Sequence, residues 1–238
     1  MKANTKALTL MNFADSYAVS ARGQLFQNEI NWVFLKSGFK PSSALFISYA
    51  YKGANYQAYF KEVSDIFAKE GIQLTDIISG DPAGLIATAK AFVVGGGDIL
   101  TFINKMNSLI TPSFNPYLAI RNMVTAGIPY IGWNEGSNII SPKYFTPPEL
   151  PIPNGINFSP YQIVCNYRDS ELNRSSIFNY LNNNTSVNLL IGQQTDQAAP
   201  DGTAVRLEES GSGLLSSGTA PFPAIIRFKI VNGVLVAS

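Results

Sequence analysis

Over the first two-thirds of the chain, short apolar runs alternate with apolar positions at helical spacing. Ala7-Leu8-Thr9-Leu10-Met11 has the length of a strand and is ended by Asn12, Asp15 and Ser16. From Gln24 to Ser37, Leu25, Phe26, Ile30, Val33 and Phe34 share one side of a predicted helix, and the run Ala44 to Tyr49 reads as a buried strand. Tyr56 to Glu70 repeats the helical spacing with Phe60, Val63, Ile66 and Phe67, and Gly71 is a suitable stop. A strand is predicted over Ile72 to Ile78. Asp81-Pro82 then joins a capping residue to a proline at the first helical position, and Ala91-Phe92-Val93-Val94 is the next strand. This β-α-β-α-β-α-β order predicts an α/β fold whose mostly parallel central sheet is flanked by helices on both faces.

The pattern changes after Ser141. The proline-dense stretch Thr146 to Gly155 is incompatible with regular structure, because proline removes backbone donors and turns its predecessor away from helix; it reads as a connection or a flap over a pocket. Beyond it come a strand near Tyr161 to Val164, a helix near Ser170 to Leu181 and a strand over Val187 to Ile191. Two further strands are expected at Thr203 to Leu207 and Ala224 to Ile230, separated by a Gly/Ser-rich segment, Glu209 to Gly218, that reads as a flexible loop. The absence of an internal repeat and the chain length fit one domain over residues 1–238.

Composition narrows the chemistry. With 238 residues, 46% hydrophobic and 14% charged, the chain has ample material for a core, and 17 basic against 16 acidic residues give no support to nucleic-acid binding. The apolar start is shorter than the roughly seven residues of a signal h-region, and no segment reaches the roughly 18 apolar residues of a membrane span. A cytoplasmic protein without membrane contact, monomeric or homodimeric, is therefore expected, and the single Cys165 agrees with a reducing compartment. The chain has no histidine. That removes the usual zinc, copper and haem ligand sets and the commonest general base near neutral pH, so no metal or cofactor is expected.

Two glycine motifs follow apolar strands, where open α/β sheets place their ligands. Val93-Val94-Gly95-Gly96-Gly97-Asp98 lets backbone turn sharply and aim N–H groups at an anion. In Pro129-Tyr130-Ile131-Gly132-Trp133-Asn134-Glu135-Gly136-Ser137-Asn138, the Gly-x-x-x-Gly frame between a strand and a helical segment is that of a nucleophile elbow. Its central residue, Asn134, cannot attack a carbonyl.

These motifs, in this order and separation, resemble peptidase E, the α-aspartyl dipeptidase family of serine peptidases, over most of the chain. Leu45 to Ala50 is similar to the family's second strand, Asp81-Pro82 through Val94-Gly95-Gly96-Gly97 to its glycine loop, and Gly132-Trp133-x-x-Gly136 to its elbow, Gly-Trp-Ser-Ala-Gly. Pro160 to Ile163 resembles the strand leading to its triad histidine, and Pro200-Asp201-Gly202 its Pro-Glu-Gly turn. The resemblance implies a class I glutamine amidotransferase-like, flavodoxin-like three-layer fold. It also implies that Asn134 stands at the serine position, Asn166 at the histidine position and Asp201 at the acid position.

A serine needs a base to take its proton, and the acid mainly orients that base, so an acid without the other two has no partner. The sequence therefore implies a pseudoenzyme whose Gly95, Gly96, Gly97 and the backbone around Glu135 still offer N–H donors to a small acidic peptide or another carboxylate. The alternative is a hydrolase with reassigned chemistry, using Glu135 or Asp201 as base or Cys165 as nucleophile. Ser137, one helical turn past Asn134, is expected to miss the attacking position. At Glu135, where the family has alanine, the carboxylate either steadies the turn or projects into the old pocket.

Overall fold

The structure is a computed structural model that describes residues 7–12, 23–145, 152–153, 155–157, 161–167, 170–184, 189–194, 203–208, 214–217 and 225–237. Its strands are β1 (Ala7–Asn12), β2 (Ser43–Ile47), β3 (Gln73–Asp76), β4 (Phe92–Val94), β5 (Tyr130–Trp133), β6 (Lys143–Tyr144), β7 (Ile152–Pro153), β8 (Tyr161–Tyr167), β9 (Leu189–Gln194), β10 (Thr203–Glu208), β11 (Leu214–Ser217), β12 (Ile225–Val231) and β13 (Val234–Ala237). Its helices are α1 (Gly23–Ser37), α2 (Tyr56–Ala68), α3 (Pro82–Thr88), α4 (Ile99–Ser108), α5 (Pro116–Thr125), α6 (Glu135–Asn138) and α7 (Glu171–Asn183).

The main sheet runs β11-β10-β1-β5-β4-β2-β3. Its five strands β1, β5, β4, β2 and β3 are mutually parallel, and β10 and β11 extend it antiparallel at the β1 edge. Strand alternation sends successive side chains to opposite faces. Phe46 and Met11 accordingly pack with α1 and α2 on one side, around Phe26, Ile30, Val63 and Phe67. Leu8, Leu10, Leu45 and Ile47 pack on the other with Ile86 of α3, Phe102 of α4 and Ile120 of α5. The expected mostly parallel sheet with helices on both faces and extra C-terminal strands is therefore present. Asp81 caps α3 as its sequence suggests, accepting from the N–H groups of Ala83 and Gly84.

The C-terminal part builds a second sheet, β13-β12-β9-β8, against α7, with Val164, Ile177, Tyr180 and Phe228 in its core. Three sequence expectations are corrected here. Leu214–Ser217, inside the expected flexible loop, pairs with β10, whose long neighbour supplies a ladder that local composition does not reveal. Ile152–Pro153, inside the proline-dense stretch, pairs with Lys143–Tyr144; a two-residue antiparallel contact asks little of the proline. The strand expected to end at Val164 continues to Tyr167, and between Val164 and Tyr167 it carries one more residue than its partner β9. Such a bulge re-aims side chains. Among the described residues, no helix is long and apolar enough to cross a membrane.

Candidate functional site

The elbow forms where β5 ends. Asn134 adopts φ 48° and ψ −113°, a conformation that costs a non-glycine residue of order 1–3 kcal/mol and persists only where surrounding structure enforces it. The enforcement is visible. The Asn134 N–H donates to the Met11 carbonyl at the end of β1, at 2.8 Å, and the Asn134 carbonyl accepts from Ser137 N and Asn138 N at 2.9 and 3.0 Å. Below the turn, the Ser137 hydroxyl donates to the carbonyls of Met11 and Gly132 at 2.8 and 3.0 Å, and Tyr130 OH donates to the Gly136 carbonyl at 2.6 Å. Ser137 is thus fully engaged in holding the turn, away from the attacking position.

Both elbow glycines are dictated by close approach. A Cβ on Gly136 would lie 2.2 Å from the Val94 carbonyl oxygen, and one on Gly132 would lie 2.5 Å from the Gly136 carbonyl oxygen. The elbow helix therefore packs directly onto the end of β4, and this brings the glycine loop beside it.

Within that loop the three glycines differ. Gly95 N–H is spent inside the sheet on the Ile47 carbonyl at 3.1 Å, and a Cβ there would meet Tyr59 Oη at 2.7 Å. Gly96 is buried, and Gly97, at φ 145°, turns its N–H toward the elbow. That N–H donates to Glu135 Oε2 at 2.6 Å. The Glu135 carboxylate also accepts from its own backbone N–H. Burial raises its pKa, the two backbone hydrogen bonds oppose the rise, and the nearby Asp98 charge adds to it.

Cys165, on the bulge of β8, is 1% exposed and lies against the elbow helix. Its N–H donates to Asn138 Oδ1 at 2.8 Å. Burial and the Glu135 charge push the thiol well above its usual range, against a hydrogen bond with Ser137. A nucleophilic thiolate needs the opposite environment.

The fold thus gathers Asn134, Glu135, Gly97 and Cys165 within one cluster, with Gly95 and Gly96 behind it. Asn166 follows Cys165 on β8, and its side chain lies outside the described residues, as does Asp201. Sequence reasoning missed the Met11 carbonyl and Asn138 as supports of the elbow; the position of Met11 at the end of a strand beside the elbow strand was the available signal. Among the described residues, no group of three or more potential metal ligands converges.

The model of peptidase family S51 matches residues 22–214, which take in the glycine loop and the elbow. The chain belongs to this family. It is 28% identical over 221 residues to a peptidase E from Nostoc, an alignment covering 87% of this chain and 83% of that protein. A peptidase E from Shewanella denitrificans is 33% identical over 129 residues, about half of each chain (52% and 53%). Two solved structures share the fold at 14% identity. One is a putative peptidase E from Listeria monocytogenes, with TM-score 0.58 over 91% of this chain and 100% of that one. The other is a peptidase from an acI-B1 actinobacterium, with TM-score 0.62 over 99% and 95%.

Proposed function

We propose that this member of the S51 family has no peptidase activity and uses its retained elbow and glycine loop to bind a small acidic peptide or another carboxylate. The observation that carries the reading is the hydrogen bond from Gly97 N–H to Glu135 Oε2 at an elbow whose apex is Asn134. Acyl transfer needs a nucleophile at the apex and free N–H donors where the oxyanion develops. Here the apex is a carboxamide, and a carboxylate already sits on the donor. What remains is a backbone cradle that holds a carboxylate, at present the chain's own. A cytoplasmic location and a monomeric or homodimeric state belong to the same reading.

Reassigned hydrolysis through Glu135 is the competing reading, favoured by the upward shift of that carboxylate, as a general base working near neutral pH requires. Cys165, with its thiol pushed up, supports it less.

The test is hydrolysis of a panel of Asp-X dipeptides. It compares the natural protein with Asn134→Ser plus Asn166→His, each with and without Glu135→Ala. We expect the natural protein to be silent and the triple variant to gain turnover. Turnover by the natural protein that disappears in Glu135→Gln would replace this reading with the competing one.

A further inference from the structure

The Glu135 contact has the form of a built-in stopper. Its carboxylate reaches across from the elbow to the glycine loop, 38 residues away in sequence, and closes on Gly97 N–H at 2.6 Å while also satisfying its own N–H. Both donors are therefore taken by one side chain, partly buried and anchored on a turn whose backbone cannot shift, because Gly136 is wedged against Val94. A charge-assisted hydrogen bond of this length between fixed partners is strong, so an outside anion has to displace it.

The charges around the stopper work against it. Asp98, which caps α4 from the same loop, faces Glu135 with like charge. Burial alone would raise the Asp98 pKa, but hydrogen bonds from Thr101 and Lys52 hold it below the usual range, so it stays ionised. Its partner Lys52 lies 2.9 Å from Asp98 Oδ1 and is engaged there. From β8, Cys165 presents an uncharged thiol, since burial and the Glu135 charge keep it protonated. Ionised Glu135 is thus held by backbone N–H groups against desolvation and against Asp98. Protonation weakens the acceptor and removes the repulsion together.

We propose that Glu135 is an autoinhibitory gate on the backbone cradle of this fold, excluding carboxylate ligands while ionised and yielding to them when protonated or removed. The proposal rests on the binding reading above for the identity of the ligand, and on the Glu135–Gly97 contact for the gate itself.

Two measurements separate the two. The first follows the Gly97 amide resonance by NMR, without ligand, as the pH is lowered from about 8 through the ordinary carboxylate range. The resonance should titrate in the natural protein and stay flat in Glu135→Gln, which keeps the shape but carries no charge. A Gly97 resonance that behaves alike in both proteins overturns the gate. The second is calorimetric titration with aspartyl-leucine. Glu135→Ala should bind at least about tenfold tighter than the natural protein near neutral pH, and the natural protein should tighten as pH falls while Glu135→Gln does not. Measurable binding of equal affinity in the natural protein and Glu135→Ala overturns the gate. If no form binds the dipeptide although Gly97 titrates as expected, the gate stands and the acidic-peptide reading is the part that fails. Thermal melting of Glu135→Ala and Glu135→Gln guards against a folding defect in either variant.

Discussion

Arg206 grips Glu29 through two hydrogen bonds of 2.9 Å, from Nε and from a terminal nitrogen, across 177 residues of sequence. Glu29 is 1% exposed and also accepts from the Thr9 hydroxyl at 2.6 Å, while the guanidinium lies 5.2 Å from the centre of the Trp32 ring. The contact ties antiparallel β10 to β1 and α1, and so anchors the antiparallel extension of the main sheet. Removing one member strands a buried charge, which costs about 3–5 kcal/mol, more than replacing both with apolar groups. Arg206→Met is therefore expected to lose stability in that range in urea unfolding, and Arg206→Met with Glu29→Leu to recover much of it. Equal losses in the single and double variants would show that the pair matters through packing alone.

The close approach of the elbow to β4 makes a second prediction. Gly136→Ala places a Cβ 2.2 Å from the Val94 carbonyl oxygen, so backbone has to move, at a cost of about 3 kcal/mol or more. Gly23→Ala meets nothing within 4 Å and is expected to leave the melting temperature nearly unchanged. Thermal melts of the two variants decide the matter, and similar melts would mean that the elbow is looser than its geometry implies.

Alkaline behaviour follows from buried phenols. Burial raises the pKa of Tyr49, Tyr117 and Tyr180 to about 12, with the Asp76 charge adding to the rise at Tyr49. Tyr56 and Tyr130 are shifted further up. These groups keep their protons in the folded state at pH values where the unfolded chain has lost them. Their contribution is complete below the ordinary value of 10.0 and is lost as pH rises toward about 12. Tyrosinate absorbance should thus appear in two steps, the second coinciding with loss of secondary structure by circular dichroism. A single step near pH 10 with the fold intact would contradict the burial.

Cys165 is expected to be inert. At 1% exposure and with its thiol pushed up, it should react with an aromatic disulfide reagent only as fast as the protein opens, and readily once unfolded. Prompt labelling of the native protein would reopen the case for a thiol nucleophile.

The local signals in the chain predict most of the main sheet, because what dictates each element lies within it. The helical spacing of Phe26, Ile30 and Val33, the Asp81-Pro82 cap and the Gly132/Gly136 frame are each read over a few residues, and each corresponds to the element observed. Strand β13 follows an equally local signal: Asn232-Gly233, at φ 51° and 76°, is the preferred hairpin turn between β12 and β13. The segment Leu214–Ser217 gave no such signal, since its strand exists only through the ladder it makes with β10.

For the site, the sequence by itself determined that imidazole is absent and that Asn134 occupies the elbow, because residue identity is all those statements require. It left Glu135 between two roles. The tertiary structure puts its carboxylate on the Gly97 N–H, a partner the sequence could not show, because a backbone amide on another loop has no signature in residue type. The same reason hid the Met11 carbonyl that receives both the Asn134 N–H and the Ser137 hydroxyl. Side-chain chemistry is written in the sequence, whereas the backbone groups that meet it are positioned by the packing of β1, β4 and β5 side by side.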